Sequence, residues 1–340
     1  MKLIFCISNL FIPATLTLIK EAGDKHVLVY TDQKGILEFF ESIHLKNVTI
    51  YYRQEIYLRK SLKSIVGYFK VRNKILKELQ SYSFSELYFF HNIFGMIENW
   101  LMKALSSKMK IYQIPIFNEL QFDKKYTIKS LKGVLRALVI DKVKVEPLWN
   151  GHRFIYRASD SFFKSIKAKI IKLSIDDAFI KEIIQDTFRF GDSKMVLLTG
   201  SVIELKQVSE DEYIKKINVL IEKIGRKHIS AKPHPRLNNR YGFENDLNLI
   251  PSFIPANVLF SKFKIFIGYS SSVLSEVADN GGIAISLLDY FKPVSNQYRN
   301  TYKNYLNDNL EKGIIHYPTN IDSVISILRN NSELILDNNL

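Results

Sequence analysis

Short apolar runs rich in β-branched residues alternate along the chain with longer segments whose apolar positions recur every three or four residues. The runs have the length of strands, and the longer segments repeat at the pitch of a helix. Five runs come first, at 2–7 (KLIFCI), 26–31 (HVLVYT), 48–52 (VTIYY), 86–90 (ELYFF) and 110–114 (KIYQI). Four more follow, at 195–200 (MVLLTG), 227–232 (KHISAK), 264–269 (KIFIGY) and 282–287 (GIAISL). Residues 209–225 typify what lies between them. Ser209 and Glu212 have the spacing of a capping box at a helix start, and Gly225 marks its end. Such alternation predicts parallel sheets with helices on both faces.

Between about 120 and 190 the strand series pauses. That stretch is basic and helical in pattern, then aromatic and mixed. With 340 residues the chain suits two domains. The pause places their boundary near 190, giving 1–190 and 191–340. The expected architecture is α/β, two Rossmann-like domains with a deep cleft between them. A ligand belongs in that cleft, beyond the carboxyl ends of the strands.

Composition narrows the class. With 46% hydrophobic and 24% charged residues the chain is globular rather than disordered. Its single cysteine, Cys6, excludes a disulfide framework and reads as a buried residue of the first strand. The apolar opening after Met1-Lys2 has a secretory look, but Ser8-Asn9 and Pro13 interrupt it. A strand, a polar turn and a helix describe it better, and no later uncharged apolar stretch reaches the roughly 20 residues of a membrane span. A cytoplasmic protein is expected.

A net charge of +14 calls for an anionic partner. The excess is concentrated in 53–79, with Arg53, Arg59, Lys60, Lys63, Lys70, Arg72, Lys74 and Lys77, and in 124–144. Both segments interleave cations with apolar residues at near-helical spacing. They read either as helices lying on an anionic membrane surface or as solvated faces over a core.

The candidate chemistry lies at strand ends. Lys232-Pro233-His234-Pro235-Arg236 follows the run at 227–232, and its two prolines fix the backbone around a histidine flanked by cations. Ser270, Ser271 and Ser272 follow Gly268-Tyr269 and open the next helix, where hydroxyls and N–H groups suit a phosphate. Gly200-Ser201 ends the run at 195–200 and permits close backbone approach. Glu119, in residues 114–123, and Asp211, at a helix start, are the candidate bases, with Glu212 and Glu204 behind them. His91-Asn92 is a further strand-end pair of either structural or functional use. Glycine-rich dinucleotide and P-loop fingerprints are absent. His228 and His234 have no second ligand set near them in sequence, so neither a metal nor a cofactor is expected.

The two motifs 232–236 and 268–276, about one βαβ unit apart, resemble those of bacterial sialyltransferases. The likeness is greatest to the lipooligosaccharide sialyltransferases of glycosyltransferase family 52, and the motifs are shared with polysialyltransferases. It covers mainly residues 195–290, with a similar opening strand and helix. It implies a GT-B fold, CMP-sialic acid as donor, a glycan or glycolipid acceptor, inversion at the anomeric carbon and no metal. It also implies that His234 and the serines hold the CMP phosphate, with His234 able to act as acid and a carboxylate as base. Lys232, Pro235, Arg236, Gly200 and Ser201 would line that site. Asn257 stands where such enzymes carry a ribose-contacting glutamate, and Asn118-Glu119-Leu120 where they carry a paired acidic motif. The expected protein is a transferase held peripherally at the inner membrane by its basic helices. Nucleic acid is not the expected partner, and a homodimer stays open. Another nucleotide sugar, or a non-catalytic role in binding nucleic acid or anionic surfaces, are the competing readings.

Overall fold

The computed structural model describes residues 1–54, 62–90, 96–115, 143–148, 153–158, 166–200, 202–203, 207–235, 241–293 and 295–331. The first sheet contains β1 (Lys2–Phe5), β2 (Val27–Thr31), β3 (Val48–Tyr52), β4 (Glu86–Phe89), β5 (Lys110–Gln113) and β8 (Lys169–Ile170). Its order is β3-β2-β1-β4-β5-β8, and every pairing is parallel. The second contains β9 (Met195–Thr199), β10 (Ile229–Pro233), β11 (Asn248–Leu249), β12 (Ile265–Gly268), β13 (Ile283–Ser286) and β14 (Ile315–His316). Its order is β11-β10-β9-β12-β13-β14, again parallel throughout. That is the doubly wound 3-2-1-4-5-6 order of a Rossmann sheet.

All nine expected runs form strands, each ending within two residues of its expected bounds. The pause between 120 and 190 is not wholly helical. Within it β6 (Val143–Leu148) and β7 (Arg153–Ala158) pair as an antiparallel hairpin, and β8 extends the first sheet. The hairpin is hard to see in the sequence because VKVE continues the basic segment before it, and the arginines of RFIYRA, four apart, have helical spacing. Pro147 is tolerated because each strand of a two-stranded sheet keeps a free edge.

Two compact units divide between Asp176 and Asp177 rather than near 190. In the first, the helices α1 (Ile12–Ala22), α2 (Lys34–Ile43), α3 (Leu62–Gln80) and α4 (Met96–Leu105) accompany the sheet. Pro13 sits in the first turn of α1, where its missing N–H costs nothing. Leu3, Phe5, Leu28, Tyr30, Leu87, Phe89, Leu101 and Met102 form the core, and α3 adds Ile75 and Leu79. Lys70, Lys74 and Lys77 are exposed, while the Arg72 guanidinium lies over the Trp100 ring at 3.9 Å. Ile75 and Leu79 of α3 are therefore turned into the core, with Phe69, Val71 and Leu76 partly buried against it. Most of the second basic segment, 124–144, lies outside the described residues. Among the described residues no helix is long and apolar enough to cross a membrane.

The second unit opens with α5 (Asp177–Thr187), which explains the early boundary. This helix packs on the 3-10 turn Ala256–Ser261, and Phe188 and Phe190 just beyond it meet the rings of Phe253 and Phe263. In α6 (Glu210–Ile224), Tyr213, Ile217, Leu220, Ile221 and Ile224 are buried. Ser209 Oγ accepts from Glu212 N at 3.3 Å, as the capping signature predicts. The Glu212 carboxylate does not return to the cap. It pairs with Lys216 at 3.1 Å and accepts from Lys292 N at 3.1 Å. The helices α7 (Val273–Asp279), α8 (Asn296–Asp308) and α9 (Ile321–Asn330) complete the unit.

Two glycines should respond oppositely to an added methyl. Gly67 lies inside α3 with nothing within 4 Å of the position a Cβ would take, so Gly67→Ala should stabilise by about 0.5–1 kcal/mol. At Gly313 the Cβ would fall on the Ala278 backbone, so Gly313→Ala should destabilise by roughly 1–3 kcal/mol. Thermal unfolding followed by circular dichroism measures both.

Candidate functional site

Three strand ends come together where the second sheet reverses its order. β9 has β10 on one side and β12 on the other. In register, Leu198 faces Lys232 across one pairing and Gly268 across the other. Gly200, His234 and Ser270 therefore each stand two residues past one line drawn across three adjacent strands. Two strand spacings, about 10 Å, separate the β10 and β12 backbones along that line. This is the switch-point crevice where open α/β sheets place their ligands.

The local chemistry keeps the crevice in shape. Thr199 Oγ1 donates to Lys232 O at 3.5 Å, across β9 and β10, and Tyr241 donates to Gly200 O at 3.4 Å. His234 is half-buried and Pro235 exposed. Lys232 differs from the phosphate ligand expected of it. It is only 3% exposed, and its ammonium donates to Pro233 O at 2.7 Å and Ser252 O at 3.0 Å. Burial pushes its pKa down to about 7. Its described contacts tie the end of β10 to the turn after β11. Arg236, Ser201, Glu204 and Glu119 lie outside the described residues. Asp211 is described and stands exposed in the first turn of α6, where an acidic residue complements the helix N-terminus.

The three serines are not equivalent. Ser270 is hydrogen-bonded to the buried Tyr298, and Ser272 to Tyr305, both on α8. Ser271 makes no side-chain hydrogen bond among the described residues, so its hydroxyl is the one left for a ligand. With seven residues α7 is only two turns long, and little macrodipole stands behind it. Any anion held here depends on hydroxyls and His234 more than on the helix.

Asn257 is buried on the 3-10 turn Ala256–Ser261, and its side chain bonds the Glu276 carboxyl. Burial pushes Glu276 up to about 8, against the lowering effect of Asn257. Ser272 and Glu276 are four residues apart and share a face of α7. Sequence reasoning passes over Glu276, although that spacing from Ser272 is the signal for it. The site beyond β12 thus consists of a free hydroxyl at Ser271, a half-buried imidazole on the β10 side, and a carboxyl–amide pair one turn into α7.

No protein-family model matches the chain, and no curated protein matches it. Solved structures do. The wall teichoic acid polymerase TagF aligns over 98% of this chain and 80% of its own, with 12% identity and a TM-score of 0.52. A UDP-N-acetylglucosamine 2-epimerase covers 98% of this chain and 88% of its own, at 11% identity and a TM-score of 0.47. The UDP-GlcNAc 2-epimerase of Neisseria meningitidis, bound to UDP-GlcNAc, covers 98% and 92%, at 13% identity and a TM-score of 0.44. The chain has a GT-B fold. At such identities the likeness extends to the fold alone.

The raised pKa of Glu276 has a signed consequence for stability. The folded state holds a proton that the unfolded state releases near pH 4.5, so stability falls as pH rises from there through about 8. Glu276→Gln should match the wild type near pH 4 and exceed it increasingly towards pH 9. Differential scanning fluorimetry across that range measures the divergence.

Proposed function

We propose that the protein is an inverting glycosyltransferase that moves sialic acid from CMP-sialic acid to a glycan acceptor of the cell surface. The observation that carries this reading is the register of β10, β9 and β12, which sets His234, Gly200 and Ser270 along one line at a switch point. A nucleotide phosphate fits between a histidine on one side and the Ser271 hydroxyl on the other. The motif resemblance favours CMP-sialic acid as donor, and the GT-B fold is compatible with it.

The chemistry follows from where charge develops. As the bond from the anomeric carbon to the phosphate oxygen breaks, the sugar gains oxocarbenium character and the electron pair stays with the phosphate. Donors fixed at that phosphate stabilise the transition state more than the ground state. His234 donates a hydrogen bond there, and in its protonated form it also offers a proton to the leaving group. Ser271 adds a second donor, which Ser270 and Ser272 orient through their bonds to α8. Glu276 and Asn257 form the polar wall suited to the nucleoside hydroxyls. The acceptor hydroxyl attacks the opposite face of the sugar and gives its proton to a carboxylate.

A donor screen tests this. CMP at about 100 times its Kd should stabilise the protein by about 2.7 kcal/mol, seen as a clear rise in Tm. His234→Ala should abolish that rise and lower kcat by about 10²–10³-fold. Stabilisation by UDP or GDP in place of CMP would overturn the sialic acid donor and leave a transferase of another nucleotide sugar. Salt-sensitive nucleic-acid binding, unchanged in His234→Ala and without any nucleotide response, would overturn the enzyme reading.

A further inference from the structure

The carboxyl edge of the second sheet continues past β12 to β13 and carries charged groups that the donor chemistry above does not use. Gly268 and Ser286 are partners in register, so Tyr269 and Asp289 stand one and three residues past the same line. Ser286 Oγ donates to Tyr269 O at 2.8 Å and ties the two strand ends together. The helix α8 brings two cations, Arg299 and Lys303, to this place. Lys303 Nζ donates to Asp289 Oδ2 at 2.6 Å and lies over the ring of Tyr317, one residue past β14. Arg299 Nε stands 3.8 Å from Asp289 Oδ1. Glu212, in the first turn of α6, is paired with Lys216 at 3.1 Å. Burial pushes the Tyr269 hydroxyl up to about 12, the Arg299 charge opposes it, and Glu212 and Asp289 add to it, so all three charges stand near Tyr269.

Most of these charges are answered within the cluster. Lys216 answers Glu212, and Lys303 answers Asp289 at hydrogen-bonding distance. Arg299 is the exception. Its guanidinium makes no hydrogen bond among the described residues, and 3.8 Å is too long for one. A fully solvated arginine would need no explanation, but only 30% of this side chain is exposed. Nε is shut off from solvent and the Nη atoms are not, so the open part is the end that forms a fork with carboxylates. Its place along the edge indicates what it meets. Tyr298, its neighbour on α8, is hydrogen-bonded to Ser270. The strands β10, β9, β12 and β13 lie side by side, so His234, Gly200, the serines and the Arg299–Asp289 pair follow one another along one edge. The step from β12 to β13 is about 5 Å. An anion at Arg299 is therefore next to a phosphate held between His234 and Ser271, and distinct from it.

We propose that Arg299 is a specificity residue that receives the carboxylate of the donor sugar, beside the phosphate held by His234 and Ser271. The inference rests on the transferase reading above and deepens it. A sialic acid carries its carboxylate on the same anomeric carbon whose bond to the phosphate oxygen breaks, so the two anionic groups reach the edge as neighbours. The open end of a guanidinium matches the two oxygens of a carboxylate. Lys303 has a part in this. It occupies Asp289, which would otherwise close on Arg299 and compete with the ligand. A neutral sugar brings no acceptor charge to Arg299, so the residue selects for an acidic sugar rather than for a nucleotide. The carboxylate keeps its charge throughout the transfer. Its contact is then as strong in the ground state as in the transition state, and it shows in donor affinity more than in rate.

Isothermal titration calorimetry of the full-length protein with CMP and with CMP-sialic acid tests this. The wild type should bind CMP-sialic acid more tightly than CMP. Arg299→Gln should weaken CMP-sialic acid by about 10–100-fold and leave CMP unchanged, and the retained CMP binding shows that the variant is folded. Arg299→Lys keeps the charge without the fork and should lose less. Lys303→Met leaves Arg299 in place but frees Asp289 to close on it, so it too should weaken CMP-sialic acid and spare CMP. Equal losses of both ligands in Arg299→Gln, with an unchanged circular dichroism spectrum, would put Arg299 on the phosphate and overturn the carboxylate assignment. So would CMP-sialic acid binding that Arg299→Gln does not alter. A wild type that binds UDP or GDP and neither CMP ligand sinks the donor reading and the carboxylate subsite together. Retained CMP binding with no preference for the sialylated form sinks the subsite alone.

Discussion

The constraint on which everything else depends is parallel pairing. Every strand of both six-stranded sheets runs in the same sense as its neighbours, so all the carboxyl ends of a sheet emerge on one edge. The central strands are buried apolar runs such as Met195–Thr199 and Ile265–Gly268, with no exposed residue to signal a role. Their function is to set heights. Because Lys232 and Gly268 are both level with Leu198, segments about 35 residues apart in sequence leave the sheet at one level. A slip of one residue in either pairing would turn every side chain of that strand to the opposite face.

Both edges are then stiffened by cations turned inward. Lys232 closes on two backbone carbonyls, and Arg53 closes on Asp32, Glu98 and Tyr30. The two differ in kind. Lys232 donates to two backbone carbonyls, and burial alone moves its pKa. Arg53 is caught between carboxylates, which raise its pKa despite its burial. It leaves an excess of acceptors around it. A buried ion pair is weak evidence for stability on its own.

Much of this is legible in the sequence. Nine strands, the α/β class and the strand-end position of His234 and the serines follow from periodicity and from the rule that parallel sheets act at their carboxyl edge. What stays hidden depends on contacts far apart in the chain. Nothing in the 227–232 run shows that Lys232 finds carbonyls at Pro233 and Ser252. Arg53 reads as one more surface cation because it opens a basic stretch, and only its position one residue past β3 places it against Asp32. The difference among the three serines is invisible without α8, since their partners are Tyr298 and Tyr305. The hairpin of β6 and β7 escapes because β6 continues a basic segment and the two arginines of β7, four residues apart, have helical spacing.

The short helix α7 illustrates how far a site can depend on remote chain. At one end Ser272 bonds Tyr305, in the middle Ser275 donates to Leu306 O at 2.8 Å, and at the other Asp279 accepts backbone N–H groups of Glu311, Lys312 and Gly313. Burial works against the Asp279 charge, but those bonds more than reverse it and hold its carboxyl below the ordinary range. Seven residues are too few to form a stable helix alone, so α7 behaves as a splinted segment whose shape is borrowed from residues 305–313. The spacing of those contacts fixes how long that segment is allowed to be. Insertions or deletions between Tyr305 and Gly313 would therefore be read at Ser271, even though no residue of that stretch belongs to the site.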